Sequence, residues 1–196
     1  MNAVAVNPSM SKTSDGARPA DLLNADFFTL LGVPQRFDLD QQSLDERFRQ
    51  LQREVHPDRF AAADDAARRA SMMLATQIND AYQTLRTPLK RATYLLALSG
   101  VDVGAESNTA MSPEFLMAQM EWREQVADAR AEKSLQTLKR LEDELAEDIR
   151  ASYATLGMLL DDTPAPAAAV ESVRRLMFLE KLREEIDNAI FDLEDL

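Results

Sequence analysis

Apolar residues recur along this chain at helical spacing, and the first sustained stripe lies between residues 40 and 56. Leu44, Phe48, Leu51 and Val55 fall at i, i+4, i+7 and i+11, with Asp40 placed to cap the helix that carries them. Arg47, Arg49, Arg53 and Glu54 lie off that stripe and are expected in water. Pro57 cannot extend the ladder and restricts His56 to extended backbone, so the helix ends there. Asp64 or Asp65 is expected to cap a second helix running to about Leu85, with Met73, Ile78, Ala81, Tyr82 and Leu85 inward. Two similar antiparallel helices joined by a short loop make a helical hairpin. A brief apolar run ending at Gly32-Val33-Pro34 precedes it. A helix from Pro88 follows it, capped by Thr87, carrying Leu89, Ala92, Leu95, Leu96 and Leu98 and closed by Gly100.

Beyond residue 100 the pattern restarts. Ser112-Pro113-Glu114 opens a helix to about Ala129. A longer one spans about Ala131 to Leu160, with Leu135, Leu138, Leu141, Leu145 and Ile149 on one face. The run Asp161 to Pro166 breaks it, and the last helix covers about Ala168 to Leu193. Its expected inner positions are Val173, Leu176, Met177, Leu179, Leu182, Ile186, Ile190 and Phe191. The fold class is therefore all-α: a helical hairpin with short flanking helices, then a three-helix bundle. The expected organisation is a loose tail over 1–23, an N-terminal domain over 24–99, a linker over 100–112 and a second domain over 113–196.

Composition narrows the chemistry. With no cysteine and one histidine among 196 residues, thiolate catalysis, disulfides and thiolate-ligated metals are excluded, and no metal or cofactor is expected. No apolar run approaches the ~18 residues of a membrane span, and the first residues lack a secretory or transit pattern, so a cytoplasmic protein is expected. The net charge of −12 is uneven: residues 21–100 carry −1 and residues 101–196 carry −12. An acidic second half argues against nucleic acid or an anionic membrane as partner.

The one histidine stands in His56-Pro57-Asp58, at the tip of the hairpin beside the basic helix face and Arg59. A general base oriented by Asp58 is one reading, but no nucleophile or oxyanion arrangement accompanies it. Phe27-Phe28-Thr29-Leu30-Leu31-Gly32, the arginine-bearing helix, His56-Pro57-Asp58 and Ile78-Asn79-Asp80-Ala81-Tyr82-Gln83-Thr84-Leu85 with Pro88 and Arg91 together resemble a J-domain. That resemblance implies a non-enzymatic module whose His56, Pro57, Asp58, Arg47, Arg49, Arg53 and Arg59 dock on a DnaK-type ATPase chaperone and stimulate its ATP hydrolysis.

The second half has neither a Gly/Phe-rich spacer nor a Cys-x-x-Cys module. Its segments Arg91–Leu96, Phe115–Glu124 and Val173–Leu182 make residues 24–193 resemble the HscB family, co-chaperones of iron–sulfur cluster biogenesis. The resemblance implies delivery of the cluster scaffold IscU to the chaperone HscA. It places scaffold binding on Leu116, Met117, Met120, Glu121, Glu124, Asp128 and Phe178. Leu116, Met120, Glu124 and Asp128 step by four, with Met117 and Glu121 on the next row, so the stripe grades from apolar to acidic. Spacing alone leaves Leu116 and Met120 equally suited to the bundle core. Tyr94 and Trp122 are expected to pack between the domains. The alternative is a J-domain co-chaperone for a different client, its bundle a holding or dimerisation module.

Overall fold

The first helix is set by residues that open and close it. In the computed structural model, which describes residues 22, 24–56, 64–104 and 112–194, Asp26 Oδ1 accepts hydrogen bonds from the Phe28 and Thr29 N–H groups at 2.9 and 3.0 Å. Partial burial pushes the Asp26 carboxyl up, but the bonds from the Thr29 hydroxyl and these two amides outweigh it, and its pKa lies below the usual value. Helix α1 (Phe27–Leu31) buries Phe28, Leu30 and Leu31. It ends at Gly32, whose φ of 65° no side-chain-bearing residue adopts cheaply. There Gly32 N donates to Thr29 O and Val33 N to Phe28 O, which satisfies carbonyls the helix would otherwise strand.

Helix α2 (Gln41–Glu54) is capped by Asp40, which accepts from Ser43 N at 3.0 Å. Leu44, Leu51 and Val55 are buried, as the stripe predicts. Helix α3 (Asp65–Arg86) is capped by Asp64, the first of the two candidates, through Ala67 N at 2.7 Å. The pairing is antiparallel: Tyr82 stacks on Phe48 at 3.9 Å and donates to Asp45 Oδ1 at 2.9 Å. Near the other end, Ser71 Oγ donates to Val55 O at 2.7 Å. Met73 is not inward. It is 60% exposed, and Leu74 is buried in its place, because only one of two adjacent helical positions can face the partner. The expected tail over residues 1–23 lies almost wholly outside the described residues.

Helix α4 (Pro88–Leu98) starts at its N1 proline with Thr87 at the N-cap position as expected, though without a side-chain capping bond. Gly100 (φ 75°) closes it as predicted, with Val101 N donating to Leu96 O. Leu98 is 40% exposed rather than inward. Packing divides the described chain into two compact units. One comprises the residues up to Gln35 together with Leu39–Leu85; the other comprises Arg36–Asp38 and the residues from Arg86 onward. By packing, α4 thus belongs with the C-terminal helices, whereas the sequence places the domain boundary near residue 99.

The second unit adds α5 (Pro113–Ala131), α6 (Leu135–Gly157), a π-helical turn (Met158–Asp162) and α7 (Pro166–Glu194). Its core is the seam between α6 and α7, where Leu138, Leu141, Leu145 and Leu156 meet Val173, Leu176, Leu179, Leu182 and Ile186. Tyr153 donates to Glu180 Oε1 across it at 2.8 Å. Burial, and then this bond, raise the tyrosine pKa well above its ordinary value. The α5–α6 turn carries Lys133 at φ 53°, with Ser134 N donating to Ala129 O, so α6 starts later than expected. Met177 and Phe191, expected inward, are 37% and 63% exposed, since each adjoins a residue that already occupies the seam-facing position. Within this unit Asp161 accepts from the amides of Phe37 (2.7 Å) and Asp38 (2.8 Å) and lies 3.5 Å from Arg36 Nε.

A β-carbon at Gly32 would sit 2.6 Å from Arg47 Nη2 in a left-handed conformation. Gly32→Ala is therefore expected to cost at least about 1–2 kcal/mol, read as a fall in midpoint in urea titration with unchanged slope.

Candidate functional site

On the first unit, α2 turns Arg49, Gln52, Arg53 and His56 to one side, at i, i+3, i+4 and i+7. Together with Val55 and with Ala75 and Asn79 of α3, they line an open groove of about 480 Å³. Gln52 Nε2 donates to Asn79 Oδ1 at 3.3 Å across it, and Arg49 Nε donates to Asp45 O at 3.1 Å. His56, where α2 has run out, is exposed, as are Arg49 and Arg53. The groove presents two fixed cations beside an imidazole over an apolar floor. That arrangement suits a partner surface carrying carboxylates, because guanidinium groups make charge-assisted bonds to them. Pro57, Asp58 and Arg59 lie outside the described residues.

Arg47 does not share this groove. It is half-buried, donating from Nε to Leu31 O at 3.2 Å and from Nη1 to Gln50 Oε1 at 2.8 Å. Two residues along a helix is a 200° turn, so Arg47 faces α1 while Arg49 faces α3. The expected uniform basic face is thus divided between bracing and display. Among the described residues no group of three or more His, Asp or Glu is placed to hold a metal.

On the second unit, α5 buries only Val126 and Ala129. Leu116, Met117 and Met120 are 46%, 62% and 71% exposed, which removes the core reading that spacing had left open. Glu121, Glu124 and Asp128 are exposed farther along the same helix. Phe178 of α7 is half-buried. Its ring meets Phe115 edge-on at 5.8 Å, and Arg123 lies over it at 5.6 Å from the centroid. The result is one acidic–apolar surface with a fixed aromatic beside it. Large exposed apolar side chains in a row mark an interaction surface more often than an accident of packing. Methionine adapts its shape to a partner better than a branched residue does. Tyr94 and Trp122 are half-buried and belong to this same unit, with Trp122 packed on its core.

The sequence pattern missed Gln52, Ala75 and Asn79, which acquire meaning only when α3 is laid against α2. It also missed Phe115 and Arg123, although their positions five and three residues from Met120 placed them on the same helix.

Comparison with known proteins agrees with both halves. Residues 26–94 match the DnaJ domain, and residues 111–187 match the family described as the HSCB C-terminal oligomerisation domain. The chain is 54% identical over 173 residues to a co-chaperone protein HscB homolog of Paraburkholderia xenovorans, covering 88% of this chain and 98% of that one. The corresponding Burkholderia thailandensis protein is 56% identical over 167 residues, covering 85% and 95%. Among solved structures, the chaperone HscB from Vibrio cholerae superposes with a TM-score of 0.75 at 36% identity, covering 86% of this chain and 99% of that one. The human co-chaperone protein HscB gives 0.78 at 28% identity, covering 84% and 82%.

Because Met117 and Met120 stand in solvent, Met117→Ala and Met120→Ala are expected to change stability by no more than about 0.5 kcal/mol. Leu145→Ala, in the fully buried seam, is expected to cost about 2–5 kcal/mol. Equilibrium denaturation of the three variants checks the contrast.

Proposed function

The chain belongs to the HscB family of co-chaperones, and we propose that it binds the iron–sulfur cluster scaffold IscU, delivers it to the DnaK-type chaperone HscA and stimulates that chaperone's ATP hydrolysis in the cytoplasm. The observation that carries this reading is the presence of two unlike exposed faces on two separately packed units. One is a cationic groove ending at His56; the other is an acidic–apolar helix face centred on Met120. We assign the chaperone to His56, Pro57, Asp58, Arg49, Arg53 and Arg59, with Arg47 contributing through its bracing of α1. The scaffold falls to Leu116, Met117, Met120, Glu121, Glu124, Asp128 and Phe178. Residues 24–99 act as the J-domain, 100–112 as linker and 113–196 as the scaffold-binding domain.

The physics of the two faces differs. Arginines steer an acidic partner surface into encounter and then pair with its carboxylates. Pro57 limits the freedom of the loop, so less entropy is lost when it docks. On α5 the exposed methionines and Leu116 supply apolar area, and the carboxylates beside them select a partner with complementary cations. The protein performs no bond chemistry; its effect on hydrolysis is exerted through the chaperone.

A second reading follows from the description of the residue 111–187 family as an oligomerisation domain. In it the bundle associates with another copy of itself or holds a different client. Sedimentation of the chain alone, against calorimetry with IscU, separates the two.

His56→Gln is expected to abolish stimulation of HscA while the circular dichroism of the chain stays unchanged; full stimulation by the folded variant refutes the docking assignment. In steady-state ATPase assays, chain and IscU together are expected to exceed the sum of their separate effects. Alanine at Met117, Met120 and Phe178 is expected to weaken IscU binding by at least about tenfold, measured by calorimetry.

A further inference from the structure

The chain has no cysteine, so methionine supplies its only oxidisable sulfur. All six methionines among the described residues (Met72, Met73, Met117, Met120, Met158 and Met177) are at least 37% exposed, and none of them belongs to the core. Met117 and Met120 are the two most exposed, at 62% and 71%, and stand one turn apart on α5. We propose that these two thioethers are a peroxide-sensitive modification site, whose oxidation to the sulfoxide releases the scaffold and whose reduction restores its binding. The consequence for binding rests on the scaffold reading; the chemistry rests on the exposure of the two sulfurs.

In the reaction a sulfur lone pair attacks one oxygen of hydrogen peroxide. The S–O bond forms as the O–O bond breaks, and the departing hydroxide takes the proton of the transferred oxygen and leaves as water. The sulfur is oxidised by two electrons and the peroxide is reduced by two. Access to the sulfur governs where this happens. Glu121 and Glu124 stand four residues beyond Met117 and Met120, on the same helix rows. Their charge disfavours anionic oxidants and leaves a neutral hydroperoxide free to approach. The product side chain is polar and presents a hydrogen-bond acceptor where apolar area had been. Two neighbouring methionines changed in this way remove the adaptable apolar part of the face and leave the carboxylates. The core contains no methionine, so the fold survives the change.

Limited treatment of the full chain with hydrogen peroxide, followed by peptide mass mapping, tests the chemistry. Met117 and Met120 are expected to oxidise at least about threefold faster than the less exposed Met177. Calorimetry with IscU is then expected to show an affinity about tenfold below that of the untreated chain, with the urea midpoint unchanged. Met72 and Met73 are exposed as well, so a chain with Met117→Leu and Met120→Leu assigns the effect. Leucine is apolar and inert to peroxide, and this variant is expected to bind IscU equally before and after treatment. Methionine sulfoxide reductases acting on both sulfoxide epimers are expected to return the oxidised natural chain to its untreated affinity. Undiminished affinity in a chain that carries both sulfoxides overturns the switch and leaves the scaffold face standing. Oxidation no faster at Met117 and Met120 than at Met177 overturns the site. An equal loss in the treated leucine variant, or a lowered urea midpoint, also overturns it, by placing the damage elsewhere. Failure of the untreated chain to bind IscU removes the scaffold reading and the switch with it.

Discussion

The apolar seam between α6 and α7 is the interaction on which the second unit depends. Leu138, Leu141, Leu145 and Leu156 on one helix are fully buried against Leu176, Val173 and Ile186 on the other. Helices of 23 and 29 residues joined by a tight turn close most of a core between themselves. A third helix added to such a pair has few apolar positions left to contact. That is why α5 is held chiefly by Val126 and Ala129, near its C-terminal end, and why its first three turns point large apolar side chains at water. The exposed apolar face of α5 is what remains when two helices saturate the core.

Exposure of this kind carries a solubility cost, and the acidic half of the stripe offsets it. Glu121, Glu124 and Asp128 follow Met117 and Met120 along the same helix, so the apolar patch is bordered by charge. The net charge of −12 carried by residues 101–196 acts in the same direction. The first unit solves a different problem. Its groove is nearly neutral in overall setting but locally cationic, because Arg49 and Arg53 are turned out while the Asp45 carboxylate is drawn in to accept from Tyr82.

The all-α class, the helix order and the caps at Asp40 and Ser112 could be read from the chain because they depend on residues within one turn of each other. Met73, Met177 and Phe191 each lie beside another apolar residue, and periodicity cannot choose between neighbours about 100° apart on a helix; Leu98 is the last residue of α4, between exposed Ala97 and Ser99. Packing chooses, and packing is nonlocal. The same limit hid the Asp161 clasp on Phe37 and Asp38, whose members stand 124 and 123 residues apart. Of the candidate sites, the α2 face and the α5 stripe were legible as patterns. The diversion of Arg47 to Leu31 O was not, because it depends on where α1 comes to lie.

The candidate binding residues also differ in how far binding can be separated from stability. Met117 and Met120 touch little within the chain, so their replacement reports on the partner alone. Phe178 is different: its ring is gripped by the Phe115 edge and the Arg123 guanidinium, contacts worth about 0.5–1.5 kcal/mol each. Its truncation loosens the attachment of α5 to α7 as well as removing a contact surface. The position of α5 in turn sets the spacing of Met117 and Met120 relative to the aromatic beside them. Alanine at Phe178 and alanine at Met120 should therefore couple rather than add, since one variant moves the platform on which the other side chain stands. That non-additivity distinguishes an aromatic that organises the face from one that merely adds area to it.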